Sequence, residues 1–319
     1  MCKFLCMLLK CAGIFLPFFL MVQFSKPFKT SKELLSLLES RGLVIPDKTS
    51  AEKFLEYTNY YRLTGYMLPF ESHGHSFLPG TTFDDIQSLY LFDRELRSLV
   101  YEGIAILEVY TRAKISACLG SMGPFAHFDK SIFYSGFHWE DWHAFLVEEV
   151  KRSKETFVCH FRSTYDEWPN LPIWVSVELM SFGSISRLYC GIKRCYQKCI
   201  ASNFNLRAPV LASWLHAIAY VRNICAHHAR FWNRLLSIKP MILRRDVAWS
   251  CFLQPTLQDK PFVLLTVLSE LLKHIQAGTG MDIQWHSKMH RLLSNPPNVP
   301  RFEQAIGMPS RWNESSLWT

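Results

Sequence analysis

Ten cysteines are spread over the 319 residues, yet no two of them form a CxxC pair and no regular spacing links them. Their arrangement offers no disulfide framework and no zinc-ribbon pattern, and it points to a reducing compartment. Cys190, Cys195 and Cys199 are close in sequence, but the last two are simply one helical turn apart. A zinc site there would need a fourth ligand such as Cys159 or His160; free thiols on helices are the competing reading. Also missing is any sustained apolar–polar alternation of the kind a half-buried strand requires, and any internal repeat. No metal site and no small-molecule cofactor are expected.

What is present suits a folded globular chain. Apolar residues make up 49% and charged residues 19%, and the many aromatics argue against disorder over most of the length. The net charge of +8 suits a polyanionic partner without requiring one.

Residues 1–24, "MCKFLCMLLKCAGIFLPFFLMVQF", form a hydrophobic leader long enough as a helix to span about 30 Å. Three readings compete. A cleaved signal peptide needs a small-x-small cleavage site, and "MVQFSKPF" offers none. A membrane anchor is weakened by Lys10 and Pro17. A true start at Met21 would remove Lys3, Lys10 and three of the cysteines. A cytoplasmic protein is expected if Met21 is the start, with membrane contact only if residues 1–24 are translated.

The remainder, residues 25–319, is expected to be one all-α domain. "TSKELLSLLESRG" opens with a capping-box pattern from Thr30 to Glu33 and closes at Gly42, and "TSAEKFLEYTNYYRL" repeats it with Thr49 and Glu52. From Thr82 a long helix is expected to run to Gly120. Its apolar positions recur at three and four: Ile86, Leu89, Leu96, Val100, Ile104, Leu107 and Tyr110. Gly103 is its weak point. Further helices are expected at 139–162, 173–191, 207–233, 261–275 and 282–293, with Gly and Pro concentrated between them.

One segment departs from this pattern. Residues 219–232, "AYVRNICAHHARFW", place an arginine, an asparagine and two histidines in a helix that is otherwise apolar. The stripe Leu211, Leu215, Ile218, Cys225, Ala229 and Trp232 would include Arg222, making it core-facing. A buried guanidinium cannot discharge, so it needs an anionic partner or a bound anion. At about 100° per residue, with Arg222 at zero, Ala226 falls near ~40°, Asn223 near ~100°, His227 near ~140° and His228 near ~240°. Only a small alanine and an amide lie between Arg222 and His227, leaving clearance for a phosphate. The structural alternative is an arginine paired with a glutamate and two histidines bonded to backbone carbonyls.

"RNICAHHARFWNR" resembles the motif helix of HEPN-superfamily ribonucleases, an arginine followed by a polar residue and then a histidine. Longer blocks narrow the resemblance to the abortive-infection family of the AbiD/AbiF type. They are "ESRGLVIPDKTSAEKFLEYTNYYRLTGYMLPFE", "LFDRELRSLVYEGIAILEVYTRAKI", "LPIWVSVELMSFGSISRLY" and "GMPSRWNESSLW", and together they cover roughly residues 25–319. The resemblance implies a HEPN-like helical bundle with additional helices, antiphage defence in a bacterium, and metal-independent RNA cleavage by Arg222 and His227 with Asn223 beside them. RNA is the expected partner, as substrate and also as a bound regulator. Because one helix presents one motif and HEPN sites are built from two, a homodimer is expected.

Other residues carry open alternatives. Glu178 could orient Arg222 or belong to a structural pair elsewhere. His228 is a supporting candidate. Glu108 and Arg112 form an i, i+4 pair whose expected role is a salt bridge. Arg230 and Arg234, with Lys239, Arg244 and Arg245 beyond, could track an RNA backbone or form a solvated basic face. Tyr60, Tyr61 and Tyr66 could stack bases, although packing is the simpler role. The competing functions are a non-catalytic RNA- or protein-binding defence component and a membrane-anchored interaction protein.

Overall fold

The computed structural model describes residue 25 and residues 27–318. The leader and the choice between Met1 and Met21 lie outside the described residues. The helices are α1 (Ser31–Ser40), α2 (Lys48–Thr58), α3 (Tyr60–Met67), α4 (Phe83–Gly120), α5 (Trp139–Arg152), α6 (Thr156–Thr164) and α7 (Ile173–Leu179). They continue as α8 (Phe182–Gly191), α9 (Arg194–Ser202), α10 (Ala208–Ala226), α11 (Pro261–Thr279), α12 (Trp285–Ser294) and α13 (Phe302–Ile306). Among the described residues there are only isolated β-bridges, the fold is all-α, and no helix is long and apolar enough to cross a membrane.

Helix α4 is the spine. Its 38 residues span about 57 Å at 1.5 Å per residue, and α3, α7, α9, α10, α11 and α12 all pack against it. The start is fixed by a capping box in which Thr82 and Asp85 bond each other's backbone N–H, satisfying donors that the first turn leaves open. Buried positions follow the expected stripe from Ile86 to Leu107, and two charged residues, Asp93 and Arg97, are buried with them. Gly103 is a contact point rather than a weak one. A Cβ there would meet Trp285 Nε1 at 2.7 Å and Leu268 at 3.0 Å, and that close approach lets Trp285 donate to the Leu99 carbonyl at 2.6 Å.

Several expected boundaries shift. The Thr30–Glu33 capping box forms, but α2 is capped by Asp47, which accepts from the Ser50 N–H, so Thr49 lies inside the helix. The helix expected at 139–162 is two, α5 and α6. The one expected at 173–191 breaks at Met180, and Ser181 caps α8 by accepting from Ser184. The helix expected at 207–233 stops at Ala226, seven residues short of expectation. Cys195 and Cys199 both lie on α9, and among the described residues no group of three or more His, Cys, Asp or Glu side chains could hold a metal ion.

A buried histidine gives the fold a pH response. His127 is fully buried, with Nε2 3.2 Å from Ser176 Oγ and Nδ1 unpartnered. The Ser176 hydroxyl also lies 3.0 Å from the Leu171 carbonyl; if its single hydrogen goes there, Nε2 carries the imidazole proton. Burial, helped by neighbouring His143, lowers the pKa of His127 from 6.5 to about 3. Between those values only the unfolded chain binds this proton, so stability falls as pH drops below 6.5, by about 1.4 kcal/mol per unit from this group. Urea midpoints of wild type and His127→Gln should therefore converge as pH is lowered from 7 to 5. Parallel curves would contradict this.

Candidate functional site

Helix α10 is apolar nearly all round: Leu211, Trp214, Leu215, Ile218, Val221, Ile224 and Cys225 are all buried, as expected for a helix inside a bundle. It packs on α4, α8 and α9. Arg222 is half-buried rather than core-facing. Its guanidinium stands 5.9 Å from the ring centre of Tyr101 on α4, and its Nε is buried with no hydrogen-bond acceptor. Among the described residues it has no ion pair. Glu178, one candidate for orienting it, pairs instead with Arg112 at 3.4 Å.

Arg112 also takes Glu108 at 2.6 Å and the Met180 carbonyl at 2.9 Å. Arg222, Arg112, Glu108 and Glu178 line one cavity of about 210 Å³, with Trp142, Phe145 and Glu149 of α5 on its far wall. The i, i+4 pair expected on α4 is thus present, and it lies beside the motif arginine.

His227 is exposed and caps the end of α10, its N–H bonded to the Asn223 carbonyl at 3.0 Å. Asn223 is exposed as well. The chain then turns sharply. His228 donates its N–H to the Cys225 carbonyl and Ala229 to the Ile224 carbonyl, both at 3.0 Å. This is the Schellman pattern, in which the residue in the left-handed conformation is usually glycine. Here that residue is His228, with φ 54°. The turn ends the helix without any glycine or proline, so no residue type in the segment marks it.

Three contacts clamp this turn. Arg62 of α3 donates to the His228 carbonyl. Arg230 donates to the Gly65 carbonyl, and Gly65 admits it because a Cβ would stand 2.8 Å from its Nη1. Asp93 accepts from the N–H groups of Phe231 at 3.2 Å and Trp232 at 2.8 Å. The carboxylate also takes the Tyr66 hydroxyl at 2.7 Å and the Arg97 guanidinium. Burial pushes Asp93 above the usual carboxylate range, opposed by Arg97 and by these donors.

The basic residues after the motif divide accordingly. Arg230 is engaged with Gly65, Arg234 is half-buried and bonded to the Arg230 carbonyl at 3.4 Å, and Lys239 pairs with Asp259 at 3.1 Å. Arg244 and Arg245 are exposed. Of the three tyrosines, Tyr66 is buried against Asp93, Tyr60 is half-buried and Tyr61 is 85% exposed. The Asp93–Arg97–Tyr66 set has one signal in the sequence: Asp93 fills the gap between Leu89 and Leu96 in the apolar stripe.

A family model described as Abi-like protein matches residues 53–233. The chain belongs to the Abi-like protein family. The match covers more than half the chain, runs from α2 through the post-motif turn, and contains Arg222, His227 and the Asp93 clamp. No curated protein and no solved structure matches the chain. Membership of the Abi-like family suggests a role in abortive-infection defence.

The strained turn offers a way to separate the two histidines. His228→Gly relieves a left-handed residue, worth about 1–2 kcal/mol, against about 0.5–1 kcal/mol of added unfolded-chain entropy, so stability should rise by up to about 1 kcal/mol. A fall in the urea midpoint would show that the His228 side chain stabilises the turn.

Proposed function

We propose that this Abi-like protein is a HEPN-type endoribonuclease of the AbiD/AbiF kind, cutting RNA without a metal ion during antiphage defence. The observation that carries the reading is Arg222 itself. A charged residue on an apolar helix is ordinarily paired with a carboxylate, yet Glu178 beside the same cavity is taken by Arg112 and the Arg222 Nε has no acceptor. A guanidinium held at the edge of a core without a carboxylate partner is suited to a phosphate.

The chemistry follows from the groups present. The ribose 2′-OH is the nucleophile. An imidazole such as His227 can take its proton as the O2′–P bond forms, while Arg222 stabilises charge on the phosphorane oxygens. The P–O5′ bond breaks and O5′ receives a proton, leaving a 2′,3′-cyclic phosphate and a 5′-OH. Asn223, exposed near the same end of α10, would hold a phosphate oxygen.

A second copy of the chain would supply the second proton-transfer group. The exposed face of α4 beside Arg222 carries Tyr101, Ala105 and Val109 at four-residue spacing, a narrow apolar strip suited to a helix of another protomer. Incubation of purified protein with total RNA in EDTA should yield 5′-OH ends, and light scattering of the active preparation should give a dimer. Intact RNA would sink the nuclease reading, and an active monomer would sink the dimer.

A further inference from the structure

The cavity beside Arg222 has a composition that a phosphate site does not explain. Its lining holds three carboxylates, Glu108 and Glu178 paired with Arg112 and Glu149 paired with Arg152 outside the lining, against the guanidinium groups of Arg112 and Arg222, so a second phosphate is disfavoured there. Its volume of about 210 Å³ suits a single heterocyclic ring system. Phe145, 48% exposed, provides a face for stacking. The Nε–H groups of both Arg112 and Arg222 are buried without acceptors, so the donors that the wall offers beside its carboxylate acceptors are the terminal Nη groups.

The two carboxylates nearest Arg112 differ. Glu108 is 14% exposed and held at 2.6 Å, whereas Glu178 is 54% exposed and held at 3.4 Å. Glu108 fixes the arginine, and Glu178 is free to turn to a ligand.

We propose that this cavity is a base-reading pocket for guanine, positioned next to the phosphate bound by Arg222; the proposal rests on the nuclease reading above. A carboxylate has only acceptors. Guanine alone among the four bases presents two adjacent donors, N1–H and N2–H, which match the two oxygens of Glu178. Adenine and cytosine each pair a donor with a ring-nitrogen acceptor, and uracil flanks its single N–H with two carbonyls, so each would set a lone pair against the carboxylate. Guanine O6, next to N1–H, is an acceptor suited to a guanidinium, and Arg112 presents its Nη1 there while Nη2 stays on Glu108 and the Met180 carbonyl. A second cavity of about 780 Å³ shares Glu149, Glu178 and Leu179 with the first and continues to Arg152 and Lys154. Lys154, exposed, and Arg152, exposed and paired with Glu149, give the strand leaving the pocket a path for its backbone.

The test uses 3′-GMP, 3′-AMP, 3′-CMP and 3′-UMP titrated calorimetrically into the full chain, beside sequencing of the 5′-OH ends it produces from total RNA. The expected result is 3′-GMP binding about tenfold or more tighter than the others, with guanine enriched next to the cut. In Glu178→Gln both preferences should disappear, and circular dichroism should show the fold retained, since the side chain is half exposed. Equal affinities, no binding by any of the four, or a guanine preference that survives Glu178→Gln would overturn the pocket. Cleavage without guanine enrichment also overturns it while leaving the nuclease intact. Guanine-selective binding with uncut RNA sinks the nuclease and retains the pocket.

Discussion

Replacing Arg222 with alanine should lower RNA cleavage by about 10²–10³-fold, the usual consequence of removing a group that stabilises charge in the transition state. His227→Ala should cost about 10²–10⁴-fold, as for loss of a general acid or base. His228→Gly should cleave normally, because the bonds that hold His228, its N–H to Cys225 and its carbonyl to Arg62, are backbone bonds that glycine keeps. The rates are read as 5′-OH ends formed per minute on one defined RNA in EDTA. The combined Arg222→Ala and His227→Ala variant should be little worse than the poorer single variant, since groups acting in one step lose activity non-additively. Unchanged cleavage in either single variant would remove that residue from the site, and inactivity of His228→Gly alone would move the acid–base role to His228.

The second large effect concerns stability. Asp93→Ala should cost about 3–5 kcal/mol, because it strands the buried Arg97 charge and removes the acceptor of the Tyr66 hydroxyl and two backbone N–H groups. Against a typical stability of about 5–15 kcal/mol, that loss should be visible as a lowered urea midpoint or as poor recovery of folded protein. Asp93→Leu combined with Arg97→Met removes both charges, and should recover part of the loss even though the Phe231 and Trp232 N–H groups stay unpaired. A single-variant loss below about 1 kcal/mol, the scale of one ordinary hydrogen bond, would show that the set does not hold the turn.

Where local chemistry decides an element, the sequence was a sufficient guide. Thr30 and Glu33 make their capping box, and α4 runs to Gly120 on the apolar spacing that predicted it. Misjudged positions are those where two local signals compete. Asp47 lies two residues before Thr49 and takes the cap, and Ser181 offers a helix start in the middle of an apolar run. The end of α10 was concealed because His228 adopts a conformation that sequence ordinarily announces with glycine. Arg222 was legible as an anomaly, but its surroundings were not. The cavity depends on α5 and α7 lying beside α4 and α10, and no periodicity within one helix reports that. For the same reason Glu178 could be named as a neighbour of the site while its partner, Arg112, was assigned to an ordinary salt bridge.

The clamp on the post-motif turn also bears on when the site can exist. Arg62, Gly65 and Asp93 reach their partners across 166, 165 and 138 positions of chain, separations that make a contact slow to form by diffusion alone. During synthesis, however, the three holding residues leave the ribosome well before the segment they hold. The turn therefore emerges to meet elements already made, and the order of the chain works with the topology. A C-terminal fragment beginning after Arg97 would carry Arg222 and His227 without these three holding residues. Removal of the first hundred residues would also cut the spine helix α4 within its own length, while leaving both motif residues in the chain.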